Sequence, residues 1–316
     1  MNNSARRFNE ENYKPQYVTK AFKAIENHAV TASNDKEERQ FLVTNGLDSE
    51  IDLMTLVQLP VRRLKETVTF YVEVLGMALS YPDRPIEGNT FVQTMPRSGP
   101  SLHLLETSNS EFRHLHGTIN GKREEYLAMY VRSLSELYER LLREDAEIVN
   151  EPANGYLSFL DPEGHLIGIY ERRDSKNKNQ IESNMTGFRH IQMVVADPSA
   201  AAGFFIGALG FDRMIAGDDA IYISVSGGEQ NQPMIRLVRA AQQDRTQPMH
   251  WMLDGQPKHA LELHSKNIGL LKELVLENGG EVKEGLEFTS CGGYLKFYTP
   301  DGHYLWVNQD RKYSDY

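Results

Sequence analysis

The sequence predicts an α+β protein built from four βαβββ modules, and three observations carry that prediction. The first is a tandem repeat. Gly155-Tyr-Leu-Ser-Phe-Leu-Asp-Pro-Glu-Gly-His165 returns 138 residues later as Gly293-Tyr-Leu-Lys-Phe-Tyr-Thr-Pro-Asp-Gly-His303. Leu56-Val-Gln-Leu-Pro-Val61 matches His190-Ile-Gln-Met-Val-Val195 at a spacing of 134, and Glu144–Val149 matches Glu277–Val282 at 133. Spacings that drift so little across so long a stretch mark a duplication, roughly 51–173 and 187–310. The second observation is that each copy divides again. The third is the pattern inside each division, where apolar residues change from alternation to helical spacing and back.

The elements follow in order. Val57, Leu59 and Val61 alternate as in a half-buried strand, with Leu56, Gln58 and Pro60 on the other face. Leu64, Val68, Tyr71, Val72 and Leu75 take helical spacing, and Gly76 ends the helix. Short strands are expected at Thr90–Thr94 and Ser101–Leu105, between Pro/Gly turns. A second unit begins with strand Tyr126–Val131 and helix Leu134–Leu142, and closes with strands around Ile148, Tyr156 and Ile167–Tyr170. The second half repeats the order: strand 190–195, helix 198–208, hairpin strands, strand 259–264, helix 267–277 and a last hairpin ending at Trp306-Val307.

Residues 1–48 lie outside the repeat, as an extension in which Tyr17–Ile25 and Lys36–Leu42 are expected to be helical. The expected organisation is that extension, a first domain at 49–173, a polar linker at 174–186, a second domain at 187–310 and a tail at 311–316.

Composition narrows the function. The 316 residues carry a formal net charge of −10 and no long Lys/Arg block, which speaks against nucleic acid as a partner. No apolar run reaches the ~18 residues of a membrane helix, and the first residues lack the apolar core of a signal peptide, so a cytoplasmic protein is expected. Cys291 is the single cysteine, which excludes an intramolecular disulfide and a Cys-based zinc site. Any metal would have to be held by histidines and carboxylates.

With its modules, the chain resembles the vicinal oxygen chelate superfamily of glyoxalases, bleomycin and fosfomycin resistance proteins and extradiol dioxygenases. The likeness rests on Val61-Arg-Arg-Leu-Lys-Glu-Thr-Val-Thr-Phe-Tyr-Val-Glu-Val-Leu-Gly76, on Phe204-Phe-Ile-Gly-Ala-Leu-Gly210 and on the two Pro-x-Gly-His turns, and it spans about 51–310. It implies that modules pair into two cup-shaped domains. It also implies that metal ligands, where present, are His or Gln on the first strand of a module and Glu on the last.

Read through that resemblance, the first half offers Leu56, His103, Tyr126 and Gly168, and is expected to be structural. The second half offers His190, Arg236, His259 and Trp306, and is expected to hold the working cup. His190 and His259 take the two first-strand ligand positions. Trp306 stands where the third, carboxylate ligand belongs, and Arg236 replaces the acid/base histidine of the extradiol enzymes. Glu262 is a poor third ligand, because strand alternation should aim it away from His259.

Two readings result. In one, His190 and His259 hold a divalent Fe, Mn or Zn, and the protein is a dioxygenase, lyase or isomerase acting on a small oxygenated or anionic molecule. In the other, the cup is metal-free and binds an organic anion, as in a resistance- or sequestration-type binding protein without catalysis. Arg236 then clamps the anion, Trp306 walls it, Gln192 contacts it, and the histidines act as hydrogen-bonding or acid/base groups.

The remaining candidates have plain readings. His114-x-His116 reads as a solvated loop, His165 and His303 as matching turn residues, and Cys291 as a spectator thiol. Gly227-Gly228 and Gly279-Gly280 read as turns, and Glu262 and His264 need partners if buried. A small molecule is the expected partner, and a homo-oligomer is compatible with the sequence.

Overall fold

The computed structural model describes residues 50–94, 98–108, 117–172, 184–216, 220–225, 232–241, 248–289 and 292–310. The expected N-terminal helices, His114, His116, Gly227, Gly228, Cys291, the tail 311–316 and most of the linker lie outside the described residues.

Module one comprises β1 (Ile51–Val61), α1 (Leu64–Thr69), β2 (Ala78–Leu79), β3 (Asn89–Gln93) and β4 (Ser101–Glu106). A small hairpin, β5 (Thr118–Ile119) and β6 (Lys122–Arg123), leads to module two. That module has β7 (Leu127–Val131), α2 (Leu134–Arg143), β8 (Glu147–Ala153), β9 (Tyr156–Leu160) and β10 (Leu166–Glu171). Module three has β11 (Met185–Val195), α3 (Pro198–Leu209), β12 (Asp212–Ala216), β13 (Ala220–Ser224) and β14 (Met234–Arg239). A second hairpin, β15 (His250–Leu253) and β16 (Gln256–His259), precedes module four: β17 (Leu261–Ser265), α4 (Ile268–Glu277), β18 (Glu287–Thr289), β19 (Gly292–Tyr298) and β20 (Tyr304–Asp310).

Local chemistry sets the helix ends. Asp197 accepts from Ser199 N–H before Pro198 opens α3, and Gly210 closes it at φ 72°, a left-handed conformation that glycine adopts without a Cβ penalty. Ser133 caps α2 and Asn267 caps α4 in the same way. The helix expected over 64–75 widens after Thr69 into a π-helical stretch, Phe70–Val74. There Leu75 N–H reaches back to Phe70 O, and the wider turn brings Tyr71 Oη to Asp161 of module two at 3.1 Å.

The sheets correct the expected domain pairing. One eight-stranded sheet runs β18-β19-β20-β17-β1-β4-β3-β2, and the other β12-β13-β14-β11-β7-β10-β9-β8. Module one therefore shares a sheet with module four, and module two with module three. The seams are antiparallel: Met54 faces Leu263 between β1 and β17, and Phe188 faces Met129 between β11 and β7. Each half of the duplication is instead joined through its helices, α2 against the π-helical end of α1 and α3 against α4. The physical reason is that the first strand of every module offers a free edge of the same kind, so the repeat alone does not specify which edges meet.

The Pro-x-Gly-His turns lock each half. Glu163, with a fully buried side chain, accepts from Arg63 N–H and Arg62 Nε, each at 3.0 Å, at the start of α1. Asp301 does the same for Ala196 N–H at the start of α3. His165 bonds to Pro60 O at 2.9 Å, and His303 Nδ1 accepts from Met249 N–H at 2.9 Å, so both histidines are turn residues, as expected. Between the sheets, Tyr126 Oη donates to Ala260 O at 3.0 Å.

Candidate functional site

Alternation along each strand sends one set of side chains under the helices and the other into a helix-free cup. On β1, Val57, Leu59 and Val61 are in the core while Gln58 faces the cup; on β11, Ile191 and Met193 are in the core while His190 and Gln192 face the cup. Each cup is therefore lined by residues from both halves of the chain.

In the cup of modules two and three, His190 is fully buried, with Nε2 2.8 Å from Glu125 Oε1. Tyr156 Oη donates to Glu125 Oε2 at 3.0 Å and Tyr170 Oη to Oε1 at 3.4 Å. Burial would raise the Glu125 carboxyl, but the bonds from His190 and Tyr156 and the Arg236 charge hold it below the usual range. Burial pushes His190 down, against the pull of Glu125. The pair is thus an ionised carboxylate and a neutral imidazole. The Nε2–H points to Glu125, which leaves the Nδ1 lone pair buried and without a partner.

Beside this pair, Gln192 Oε1 accepts from Arg236 Nη1, and Gln192 Nε2 donates to Glu124 at 2.8 Å. Arg236 Nε is buried and has no partner. The Tyr222 ring lies 5.9 Å from the His190 ring and 6.0 Å from the Arg236 guanidinium.

In the cup of modules one and four, Gln58 Nε2 lies 2.9 Å from His259 Nε2 and 3.4 Å from His103 Nδ1. His103 stacks on Phe91 at 4.2 Å, and His259 on Trp306 at 4.1 Å. Lys296 lies over the Trp306 ring and is paired with Glu287 at 2.7 Å and Glu284 at 3.2 Å. Burial pushes His103 down to about 4 and lowers His259 as well. Glu262 Oε2 stands 3.6 Å from His259 Nε2, and its Oε1 accepts from Thr55 and Asn308.

Several expectations change. His190 and His259 are not brought together: they line different cups, because module three and module four belong to different sheets. Gln192 and Arg236 do meet beside His190, whereas Trp306 meets His259 in the other cup. Glu262 reaches His259 after all, because the chain breaks at Ala260 between β16 and β17 and alternation does not carry across the break. His264 pairs with Asp52 at 2.6 Å and with Asp310 at 3.9 Å, so its burial has partners.

The first-strand position of module two is Glu125, not Tyr126. Gln192 N–H donates to Tyr126 O just as Gln58 N–H donates to Ala260 O, which makes Glu125 the counterpart of His259. The repeat spacing of 134 held that information. Tyr156, Tyr170 and Tyr222 had no sequence signal beyond alternation.

Neither donor set fits a resident divalent metal. In the cup of modules two and three a guanidinium stands among the positions, Gly168 has no side chain, and a Cβ there would collide with Glu125 Oε2. In the other cup the Gln58 amide N–H groups occupy the imidazole lone pairs. Among the described residues, no three His, Cys, Asp or Glu side chains group as metal ligands.

The fold and sites define a tandem α+β protein with two composite cups. Residues 53–169 match the sequence model of the Glyoxalase/Bleomycin resistance protein/Dioxygenase superfamily. Among solved structures, glyoxalase I from Zea mays is similar with 16% identity over 81% of this chain and 92% of that chain, at a TM-score of 0.61. A candidate dioxygenase from Bacillus subtilis subsp. subtilis str. 168 is similar with 15% identity over 83% and 86%, at a TM-score of 0.60. No match was found among curated proteins. Residues 53–169 thus carry that superfamily's sequence signature, and the chain as a whole shares the fold of these solved structures. No described helix is long and apolar enough to cross a membrane.

Proposed function

We propose that the protein takes a small oxygenated anion into the cup of modules two and three and moves a proton on it, in an isomerase- or lyase-type step. The observation that carries this reading is the Glu125–His190 pair beside an Arg236 fork with an unpartnered Nε. Arg236 holds the carboxylate or phosphate of the ligand, since a guanidinium edge matches those groups in two-point fashion. Glu125 fixes the His190 tautomer and favours the imidazolium, so Nδ1 is the base that receives the proton. Tyr156 and Tyr170 keep the Glu125 carboxylate in place.

A binding-only reading is favoured by one observation, the complete burial of His190 under its neighbours. The experiment separates the two. A panel of small 2-hydroxy and 2-oxo acids is incubated with the protein in D2O, and exchange of the carbon-bound hydrogen next to the carboxylate is followed by NMR. Saturable binding with enzyme-dependent exchange supports catalysis, and binding without exchange supports sequestration. Arg236→Ala should weaken either by roughly 1.5–3 kcal/mol, the scale of a hydrogen bond to a charged group. Equal binding by both proteins would remove the anion clamp.

A further inference from the structure

The cup of modules two and three has a second cation, and a break in strand pairing puts it there. Between Phe188 and His190 on β11 the register against β7 slips: Phe188 faces Met129, and His190 faces the adjoining residue, Ala128. Arg189 is the extra residue of a β-bulge, which re-aims side chains away from simple alternation. Phe188 accordingly lies in the core and His190 in the cup, although positions two apart on a regular strand share a face. The Arg189 guanidinium stands 3.5 Å from the centre of the Tyr170 ring, whose hydroxyl donates to Glu125 within the cup.

The repeat uses the same bulge with other chemistry. On β1 the register slips between Met54 and Leu56, and the extra residue, Thr55, donates to the Glu262 carboxylate of the other cup at 3.2 Å. Thr55 is neutral and has its acceptor. Arg189 is charged and half-buried, and among the described residues it meets no carboxylate. Glu125 directs its oxygens to His190, Tyr156 and Tyr170, and Glu124 binds Gln192. The Tyr170 ring centre is 6.1 Å from that of His190, and the Tyr222 ring lies between His190 at 5.9 Å and the Arg236 guanidinium at 6.0 Å. Each guanidinium is thus one ring away from the same imidazole. Burial is the main force that lowers His190, against the pull of Glu125, and the charges of Arg236 and Arg189 add to it.

We propose that the anion taken by this cup is a dianion with a carboxylate at each end, of the 2-hydroxy- or 2-oxo-dicarboxylate class. Arg236 holds the carboxylate beside the carbon whose proton His190 receives, and Arg189 receives the far carboxylate above Tyr170. This rests on the reading of the cup as an anion site and adds which anion it selects.

Matched acids that differ only at the far end test it. 2-Hydroxyglutarate ends in a carboxylate where 2-hydroxyvalerate ends in a methyl group, and malate stands in the same relation to 2-hydroxybutyrate. All four are titrated calorimetrically into the full chain at one ionic strength, so that screening is equal. In at least one pair the dianion is expected to bind about tenfold or more tightly than its monoanion, the scale of a hydrogen bond to a charged group. Arg189→Gln should abolish that preference and leave the monoanion nearly unchanged, whereas Arg236→Ala should weaken both members. Equal binding of both members in both pairs would overturn the dianion and leave the anion site standing, and so would a preference that survives Arg189→Gln. Equal losses for both members in Arg189→Gln would make Arg189 a structural residue and overturn the proposal too. Binding of none of the four would remove the anion site together with this inference.

Discussion

Gln58 and Gln192 hold the same place on the first strand of two repeated modules, yet they face different company. Gln58 gives its amide hydrogens to two neutral imidazoles, whereas Gln192 is held between Arg236 and Glu124. The neighbour on the adjacent parallel strand makes the difference: β1 pairs Gln58 with His103, and β11 pairs Gln192 with Arg236. The change from His103 to Arg236 between repeats thus sets an imidazole in one cup and a guanidinium in the other beside the same glutamine of the same backbone. The carboxylates differ as well. Glu125 is bound by an imidazole and two tyrosines, while Glu262 is bound mainly by Thr55 and Asn308 and stands farther from its imidazole.

That contrast can be broken by experiment. Glu125→Ala leaves the buried His190 N–H and the Tyr156 hydroxyl without their acceptor and should cost about 2–3 kcal/mol in urea unfolding, against roughly 1–2 kcal/mol for Glu262→Ala. Equal losses would mean that the two carboxylates are not the different elements their contacts describe. Gly168→Ala pushes a methyl into the space of the Glu125 carboxylate and should cost about 1–3 kcal/mol. Its counterpart in the other cup is Trp306, so the reverse change, Trp306→Gly, should leave the Glu125–His190 cup untouched.

Acid sharpens the comparison further. His103 and His303 are held down to about 4, against an ordinary value of 6.5. The unfolded chain takes up these protons as pH falls through 6.5, and the folded protein does not until about 4. Stability is therefore complete above 6.5 and is lost progressively toward 4, by up to about 1.4 kcal/mol per pH unit for each histidine. His103→Phe should remove its share of that slope, measured by denaturant unfolding across the window, while Arg236→Ala should leave the slope as it was. The smallest effect belongs to Lys296→Ala, whose partly exposed ion pairs contribute less than about 1 kcal/mol. A larger loss would mark Lys296 as a structural element of its cup rather than a cover over Trp306.

The modules were readable because they depend on local signals that repeat: alternation before Arg62, helical spacing after it, a glycine at the helix end and a Pro-x-Gly-His turn. The pairing of modules was not, because β1, β7, β11 and β17 offer edges of the same kind and the choice among them is made by the whole packed core. Arg236 and Gln192 could be placed together because they lie on neighbouring strands of one module. His190 and His259 could not be separated from sequence, since their distance depends on that module pairing. Glu125 is hidden in the sequence by one residue of register at Tyr126, and the reach of Glu262 to His259 by a strand break at Ala260 that resets the alternation.

The crossing of sheets between halves also orders the making of the protein. The chain pairs like nested brackets, modules two and three inside, one and four outside. The inner seam, β7 with β11, forms between neighbouring segments. The outer one must wait for β17, synthesised about 200 residues after β1, which at 5–20 residues per second is roughly 10–40 s of translation. Through that interval β1 carries an unpaired edge, the surface on which strands of other chains add. Nascent chains stalled after module three would display that edge, and a chaperone that binds extended backbone would have its longest opportunity there.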